Sequence, residues 1–318
     1  MNIENKADSY ILQYHPHPSL CCSIPLLHRN MHTFHTVLWL FSFSLNAQTK
    51  RALVIGIGKQ EDSSWNMING DKDVPYVLEM LKNANYEQII TCVNEKATKA
   101  GILAAFQTLT QSCKSDDIVY IHYSGHGQQM KDVGNDEVDA LDECWIPYDA
   151  YRKPSDKYRG EKHLVDDEIN VLLTNICDKI GDGGKILVVV DACFSGGSTR
   201  TPTGEVKDEI IRGADESFMK APKYLKDKKI LKILDKFHNR WITLTACENS
   251  QVNAEMVNPK VGKLTYAIHN IIVKNQFSGN NDEFMEKLKN FIKLRCVNTI
   301  QRPTITGKIE HNIVDILR

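Results

Sequence analysis

The sequence has almost no net charge: 39 Lys and Arg stand against 40 Asp and Glu, a formal −1 over 318 residues. A chain so balanced has no bulk electrostatic hold on a polyanion, and it carries no RNA- or DNA-binding signature, so no nucleic-acid partner is expected. Its apolar run at Val37 to Leu45 is too short to span a bilayer, which takes roughly 20 residues as a helix. There is no sustained heptad pattern and no internal repeat, which excludes a coiled coil or a solenoid. The cysteines are spaced neither as a CxxC metal site nor as a disulfide framework. "VIGIGKQ" lacks the long loop and the Ser or Thr of a Walker motif, and Glu61 breaks the dinucleotide pattern, so nucleotide binding is also set aside. What is present is an ordinary globular composition, 42% hydrophobic and 25% charged, enough for a full core.

The N-terminal stretch stands apart. Residues 1–30 combine His, Pro, Ser and the pair Cys21–Cys22 without periodicity and are expected to be unstructured or to precede the true start at Met31. The apolar run follows, and then the small and polar Asn46-Ala47-Gln48. Residues 31–47 therefore read as a secretory signal with cleavage near Ala47. Export to the periplasm, cell envelope or outside is expected, or a cytoplasmic protein if that segment is instead a buried element. The remaining 48–318 would keep seven cysteines, an odd number, so at least one thiol has no disulfide in a monomer.

Beyond residue 50, short β-branched runs alternate with amphipathic segments. Strands are expected at 51–58, 87–93, 116–124, 185–193 and 241–247. Helices are expected at 70–86, with Asp71 or Asp73 as cap, and at 98–113, 166–178, 262–274 and 281–296. A charged loop follows the third strand. Strands apolar throughout, alternating with helices, predict a mostly parallel sheet covered on both faces. Residues 198–239 are rich in charge, Gly and Pro and read as a long surface insertion, the kind of segment that is often functional or cleavable.

Ligands of such sheets sit beyond the carboxyl ends of the strands. One strand there ends in Ser124-Gly125-His126-Gly127, another in Asp191-Ala192-Cys193-Phe194-Ser195-Gly196-Gly197. A thiol supplies only a few per cent of thiolate at neutral pH. A neighbouring imidazole removes its proton and later returns it to a leaving amine. The flanking glycines let backbone N–H groups, those of Gly127 and Cys193, approach a developing oxyanion. His122, on the same strand face as Ser124, reads as a core histidine; a metal hydrolase built on His122, His126 and nearby Asp is the competing chemistry.

"HYSGHGQQ" followed by "DACFSGG" resembles the His and Cys motifs of the caspase-like clan of cysteine peptidases, on the metacaspase and bacterial side. The resemblance spans about residues 50–310. It implies a caspase/haemoglobinase-like three-layer αβα sandwich with about six strands, and a cysteine endopeptidase with a His126–Cys193 dyad. In that family the positions of Asp73, Ser124 and Asp191 line the pocket for the residue before the cleaved bond, although Lys72 stands where the family has Asn. Paired carboxylates favour a cation, so protein or peptide substrates with Arg or Lys at that position (P1) are expected. The resemblance also implies a monomer. No cofactor is required, but calcium is a candidate activator at Asp142, Asp166 and Asp167; Arg200 stands near the place of the family's fourth carboxylate, which argues against it. A basic-specific peptidase would find Arg200, Arg212, Lys220, Lys223, Lys226, Lys228 and Lys229 in its own insertion, so self-cleavage within 200–229 is expected. The alternative is a catalytically silent binding or scaffold module on the same fold.

Overall fold

The computed structural model describes residues 48–131, 141–194, 209–214, 240–248, 251–296, 299–308 and 310–318. The expected N-terminal extension and signal, and most of the insertion, lie outside these residues.

Strand β1 (Lys50–Gly56) is followed by α1 (Gly70–Asn83), β2 (Gln88–Val93), α2 (Lys99–Ser112) and β3 (Ile118–Ser124). After β4 (Gly127–Lys131), β5 (Leu141–Trp145) and β6 (Leu164–Val165) come α3 (Asp166–Ile180), β7 (Lys185–Asp191) and β8 (Ile242–Thr245). The chain ends with α4 (Lys263–His269), continued by a π-helical turn at Asn270–Lys274, then α5 (Asn281–Lys293), β9 (Thr304–Gly307) and α6 (Ile313–Leu317). The main sheet has the order β2-β1-β3-β7-β8-β9. All its pairings are parallel except that of β9, which runs antiparallel along one edge.

Side-chain alternation along each strand builds the two cores. Ala52, Val54, Tyr120, Leu187, Val189 and Leu244 face one way, onto α1, α4, α5 and α6. Leu53, Ile55, Val119, Ile121, Tyr123 and Val188 face the other, onto α2 and α3. Each of these large side chains stabilises the fold by about 1.5–3 kcal/mol on full burial. The result is the expected αβα sandwich. The described residues make one compact unit, and no helix among them is long and apolar enough to cross a membrane.

Two sequence expectations change. The charged stretch after β3 is partly strand: β4, β5 and β6 form a small antiparallel sheet. Trp145 of β5 stacks on Tyr123 of β3 at 4.5 Å, tying this sheet to the main one. The insertion read as surface does not stay on the surface: within 209–214, Arg212 and Ala214 are buried, at the carboxyl ends of β3 and β7.

Candidate active site

Strands β3 and β7 are hydrogen-bonded neighbours, and their last residues, Ser124 and Asp191, are register partners. His126 and Cys193 each lie two residues beyond that pair, both almost fully buried. The turn carrying His126 is clamped from below: the Tyr123 hydroxyl donates to the His126 carbonyl at 2.6 Å and accepts from the Ile146 amide at 2.8 Å.

The imidazole has one defined tautomer. Nε2 lies 2.8 Å from the Asn66 carbonyl oxygen, which only accepts, so Nε2 carries the hydrogen. Nδ1 is buried and makes no hydrogen bond. Burial pushes the imidazole pKa down to about 4, against the Asn66 hydrogen bond and assisted by the charges of Arg212 and Arg152. His126 is therefore neutral at physiological pH, with the Nδ1 lone pair able to accept a proton. The Trp65 ring lies 5.1 Å from the imidazole, and Trp65 Nε1 is fixed to the Ala150 carbonyl at 2.9 Å. The Cys193 thiol donates to the Gln251 carbonyl at 3.2 Å, and the Cys247 thiol reaches the same oxygen at 3.6 Å. Its hydrogen bond with Cys193 and its burial raise the Cys247 pKa well above the ordinary thiol value.

The backbone amides of Gly127 and Cys193 converge on one acceptor, the carbonyl oxygen of Arg212, at 3.1 and 3.2 Å. The rest of that segment is laid down as an added strand. The Arg212 amide donates to Asn253 O at 2.9 Å, the Glu255 amide to Ile210 O at 2.8 Å, and the Ala214 amide to Gly127 O at 3.2 Å. The absence of a side chain at Gly127 permits this approach, because a Cβ there would stand 2.5 Å from the Cys193 carbonyl oxygen.

The Arg212 side chain fills a closed pocket. Its Nη1 donates to Asp73 Oδ2 at 2.6 Å, to Ser124 Oγ at 2.7 Å and to the Asp191 carbonyl at 3.3 Å, and it lies 3.5 Å from Asp191 Oδ1. Its Nε donates to Glu255 Oε1 at 3.0 Å. The three residues expected to line a cation pocket thus surround one guanidinium. Asp73 lies in the first turn of α1 and makes no cap; its Oδ1 accepts the Gly262 amide and its Oδ2 the Ser124 hydroxyl. Asp191 is held by Asn253 Nδ2 at 2.8 Å and by the amide and hydroxyl of Thr265 at 2.8 and 2.7 Å.

Burial raises the Asp73 carboxyl above its usual range and Asp191 adds to this, outweighing the pull of Arg212. Burial works against the Asp191 charge as well, but the guanidinium and the Thr265 and Asn253 hydrogen bonds together hold its carboxyl below the usual range. The Arg212 guanidinium is fully buried, yet Asp73, Asp191 and Glu255 drive its pKa higher still. A buried charge is tolerated only when paired in this way.

Glu255, Asn253, Thr265 and Gly262 were not among the sequence candidates. They sit in or beside loops between β8 and α4, in no spaced motif. The one available signal was a carboxylate in the otherwise neutral stretch "SQVNAEMVN". His122 is a core residue: its Nδ1 lies 2.9 Å from the Tyr120 hydroxyl and its Nε2 3.2 Å from Thr265 Oγ1, and burial lowers its pKa to about 4.

Asp142 lies on β5, and Asp166 and Asp167 open α3 next to β6, which pairs with β5. Burial, and after it the charges of Asp166 and Asp142, hold the Cys144 thiol well above its ordinary pKa. Among the described residues, however, no three His, Cys, Asp or Glu side chains converge tightly enough to hold a metal ion. The Arg200 position lies outside the described residues. Residues 132–140, the acidic stretch before Asp142, also lie outside the described residues.

Residues 50–202 match the metacaspase, peptidase C14 domain family. The chain is 30% identical over 174 residues to metacaspase-1A of Aspergillus oryzae, covering 52% of this chain and 38% of that protein. It is 30% identical over 166 residues to metacaspase-1A of Neurospora crassa, covering 49% and 34%. The chain thus spans well under half the length of these curated relatives. Among solved structures, a protein from Geobacter sulfurreducens superposes with a TM-score of 0.61 at 19% identity, covering 85% of this chain and all of that one. Caspase-1 from Spodoptera frugiperda superposes with a TM-score of 0.52 at 10% identity, covering 82% and 89%. In fold, matched domain and relatives the chain is similar to the caspase-like clan, on its metacaspase side.

Proposed function

We propose that the protein is a cysteine endopeptidase that cleaves after arginine, and that Arg212–Gly213 is a bond it cuts in its own chain. One observation carries the reading. The Arg212 carbonyl accepts the two amides that an oxyanion would need, while the same residue's guanidinium is seated among Asp73, Ser124, Asp191 and Glu255. A substrate held for attack is bound in this way.

The steps follow from the residues. The Cys193 thiol leaves the Gln251 carbonyl and gives its proton to His126 Nδ1, and the Nε2–H bond to Asn66 steadies the imidazolium. The thiolate attacks the Arg212 carbonyl carbon. The negative oxygen that develops is already aligned with the Gly127 and Cys193 N–H groups, and removing one such donor typically costs about 100-fold or more in rate. The C–N bond to Gly213 breaks, His126 returns the proton to the departing amine, and a thioester of Arg212 remains. Water, deprotonated by Nδ1, hydrolyses the thioester and frees the thiol. Sulfur, imidazole and amides suffice, so no cofactor is required.

Arginine should exceed lysine at this position. A guanidinium donates through Nε and Nη1 at once, to Glu255 on one side and Asp73 with Ser124 on the other; an ammonium is a single point charge on a flexible stem. The test is the full chain under reducing conditions. The wild type yields a fragment beginning at Gly213 and hydrolyses arginyl peptides, and Cys193→Ala does neither. A chain that stays intact and inert, with or without calcium, would instead support a silent binding module.

A further inference from the structure

The docked segment is held well upstream of its arginine. Glu209 Oε1 meets Lys263 Nζ at 3.2 Å, and the side chains are only 3% and 1% exposed. Between the two contacts, Ile210 is fixed by its carbonyl to the Glu255 amide, and Ile211 packs against Cys193, Cys247 and Val252. Glu209 is three residues before Arg212, so the backbone register places it at the fourth substrate position.

Lys263 is tied to the arginine pocket by sequence. It directly follows Gly262, whose amide holds Asp73, and it stands two residues before Thr265, whose amide and hydroxyl hold Asp191. One short stretch thereby shapes the arginine pocket with its backbone and presents a buried ammonium to the residue upstream. A lysine is seldom this deeply buried without a paired charge. Among the described residues the acceptor that meets it is Glu209, which belongs to the segment in the substrate position and not to the walls of the cleft. When that segment gives way to another peptide, an acidic side chain at the same place restores the pair; a neutral one leaves the ammonium desolvated and unmatched, and a basic one repels it.

We propose that Lys263 is a specificity residue for an acidic side chain at the fourth position, so that the substrates of this cleft carry Glu-x-x-Arg before the cut bond. This rests on reading residues 209–214 as a bound substrate segment.

The experiment compares acetyl-Glu-Ile-Ile-Arg, acetyl-Gln-Ile-Ile-Arg and acetyl-Lys-Ile-Ile-Arg aminomethylcoumarins with the self-cleaved full-length protein. Glu is expected to exceed Gln in kcat/KM by at least about tenfold, with Lys lower again, as expected when one member of a desolvated pair is removed. Lys263→Glu is expected to invert the order. In the intact chain, Glu209→Lys slows self-cleavage and Glu209→Lys with Lys263→Glu restores it, a recovery that a merely structural lysine would not give. Equal kcat/KM for the three peptides on the unmodified protein overturns this proposal and leaves arginine cleavage standing. No turnover of any of them, together with a chain that yields no fragment beginning at Gly213, overturns the peptidase reading and this proposal with it.

Discussion

The backbone amide of Cys193 donates to the carbonyl oxygen of Arg212 at 3.2 Å. The residue bearing the thiol and the residue filling the cation pocket are thus joined by one hydrogen bond, although one lies two residues beyond β7 and the other belongs to the insertion.

Replacing Arg212 tests the seat directly. Arg212→Lys keeps a charge but loses the Nε bond to Glu255, and self-cleavage should slow by about tenfold. Arg212→Gln leaves Asp73, Asp191 and Glu255 without a cation, and the cut at 212–213 should fall below detection. Time courses on denaturing gels, with sequencing of any new amino terminus, read both. Arg212→Gln cut at the same bond as fast as wild type would refute the seat.

Glu255→Gln removes the charge opposite Nε. The kcat/KM for arginyl peptides should fall by about tenfold, as for loss of one charged contact. Lysyl peptides, which have no Nε in that place, should change less, so the Arg/Lys ratio narrows. An unchanged ratio would show that Glu255 does not read the side chain.

Gly262→Ala would put a Cβ 2.6 Å from Arg212 Nη1 and 2.1 Å from Asp191 Oδ2. The pocket wall cannot keep both groups where they are. The variant should lose arginyl turnover by about 100-fold or more while retaining its fold, on the scale of a 1 Å misplacement near the chemistry. Circular dichroism and peptide hydrolysis separate these outcomes.

Stability should decline in mild acid. Burial holds His122 and His126 at about 4 and His163 at about 3. All three are neutral when folded and take up protons in the unfolded chain below about 6.5. Their contribution is complete above that value and fades as pH falls toward 4, on the order of 3 kcal/mol each at most. Asp73, with its raised carboxyl, acts in the opposite sense and reduces the net loss. Thermal denaturation of Cys193→Ala between pH 7 and 4 should show a falling midpoint; a flat profile would contradict the buried neutral histidines.

The sequence made the five parallel strands plain because they are short runs rich in β-branched and other apolar residues, buried throughout in Ile118–Ser124 and only in part in β2 and β8. It also brought forward His126 and Cys193, because each follows the end of an apolar strand, whereas Asp73, Ser124 and Asp191 came forward only through the family resemblance. It concealed the small sheet, whose β6 is only two residues long and whose β4, "GQQMK", is largely polar. Glu255 and Lys263 could not be found locally. Their environment is created by the chain folding back past β8, and nothing in "NAEMVNPKVGKL" marks which charges will be desolvated. Arg212 was visible only as one of ten basic residues between positions 198 and 239. What distinguishes it is burial, which depends on a partner surface far away in the chain.

The arrangement at Arg212 also bears on what the proposed cut would leave behind. Hydrolysis at that bond would create a new chain end whose guanidinium is still gripped by three carboxylates, and whose fresh carboxylate still faces two amide hydrogens. That end would stay joined in sequence to Cys193, so its local concentration would stay high and it would compete with every incoming peptide. Scission by itself would leave the cleft occupied, and the pace of activation would be set by how readily the severed end lets go.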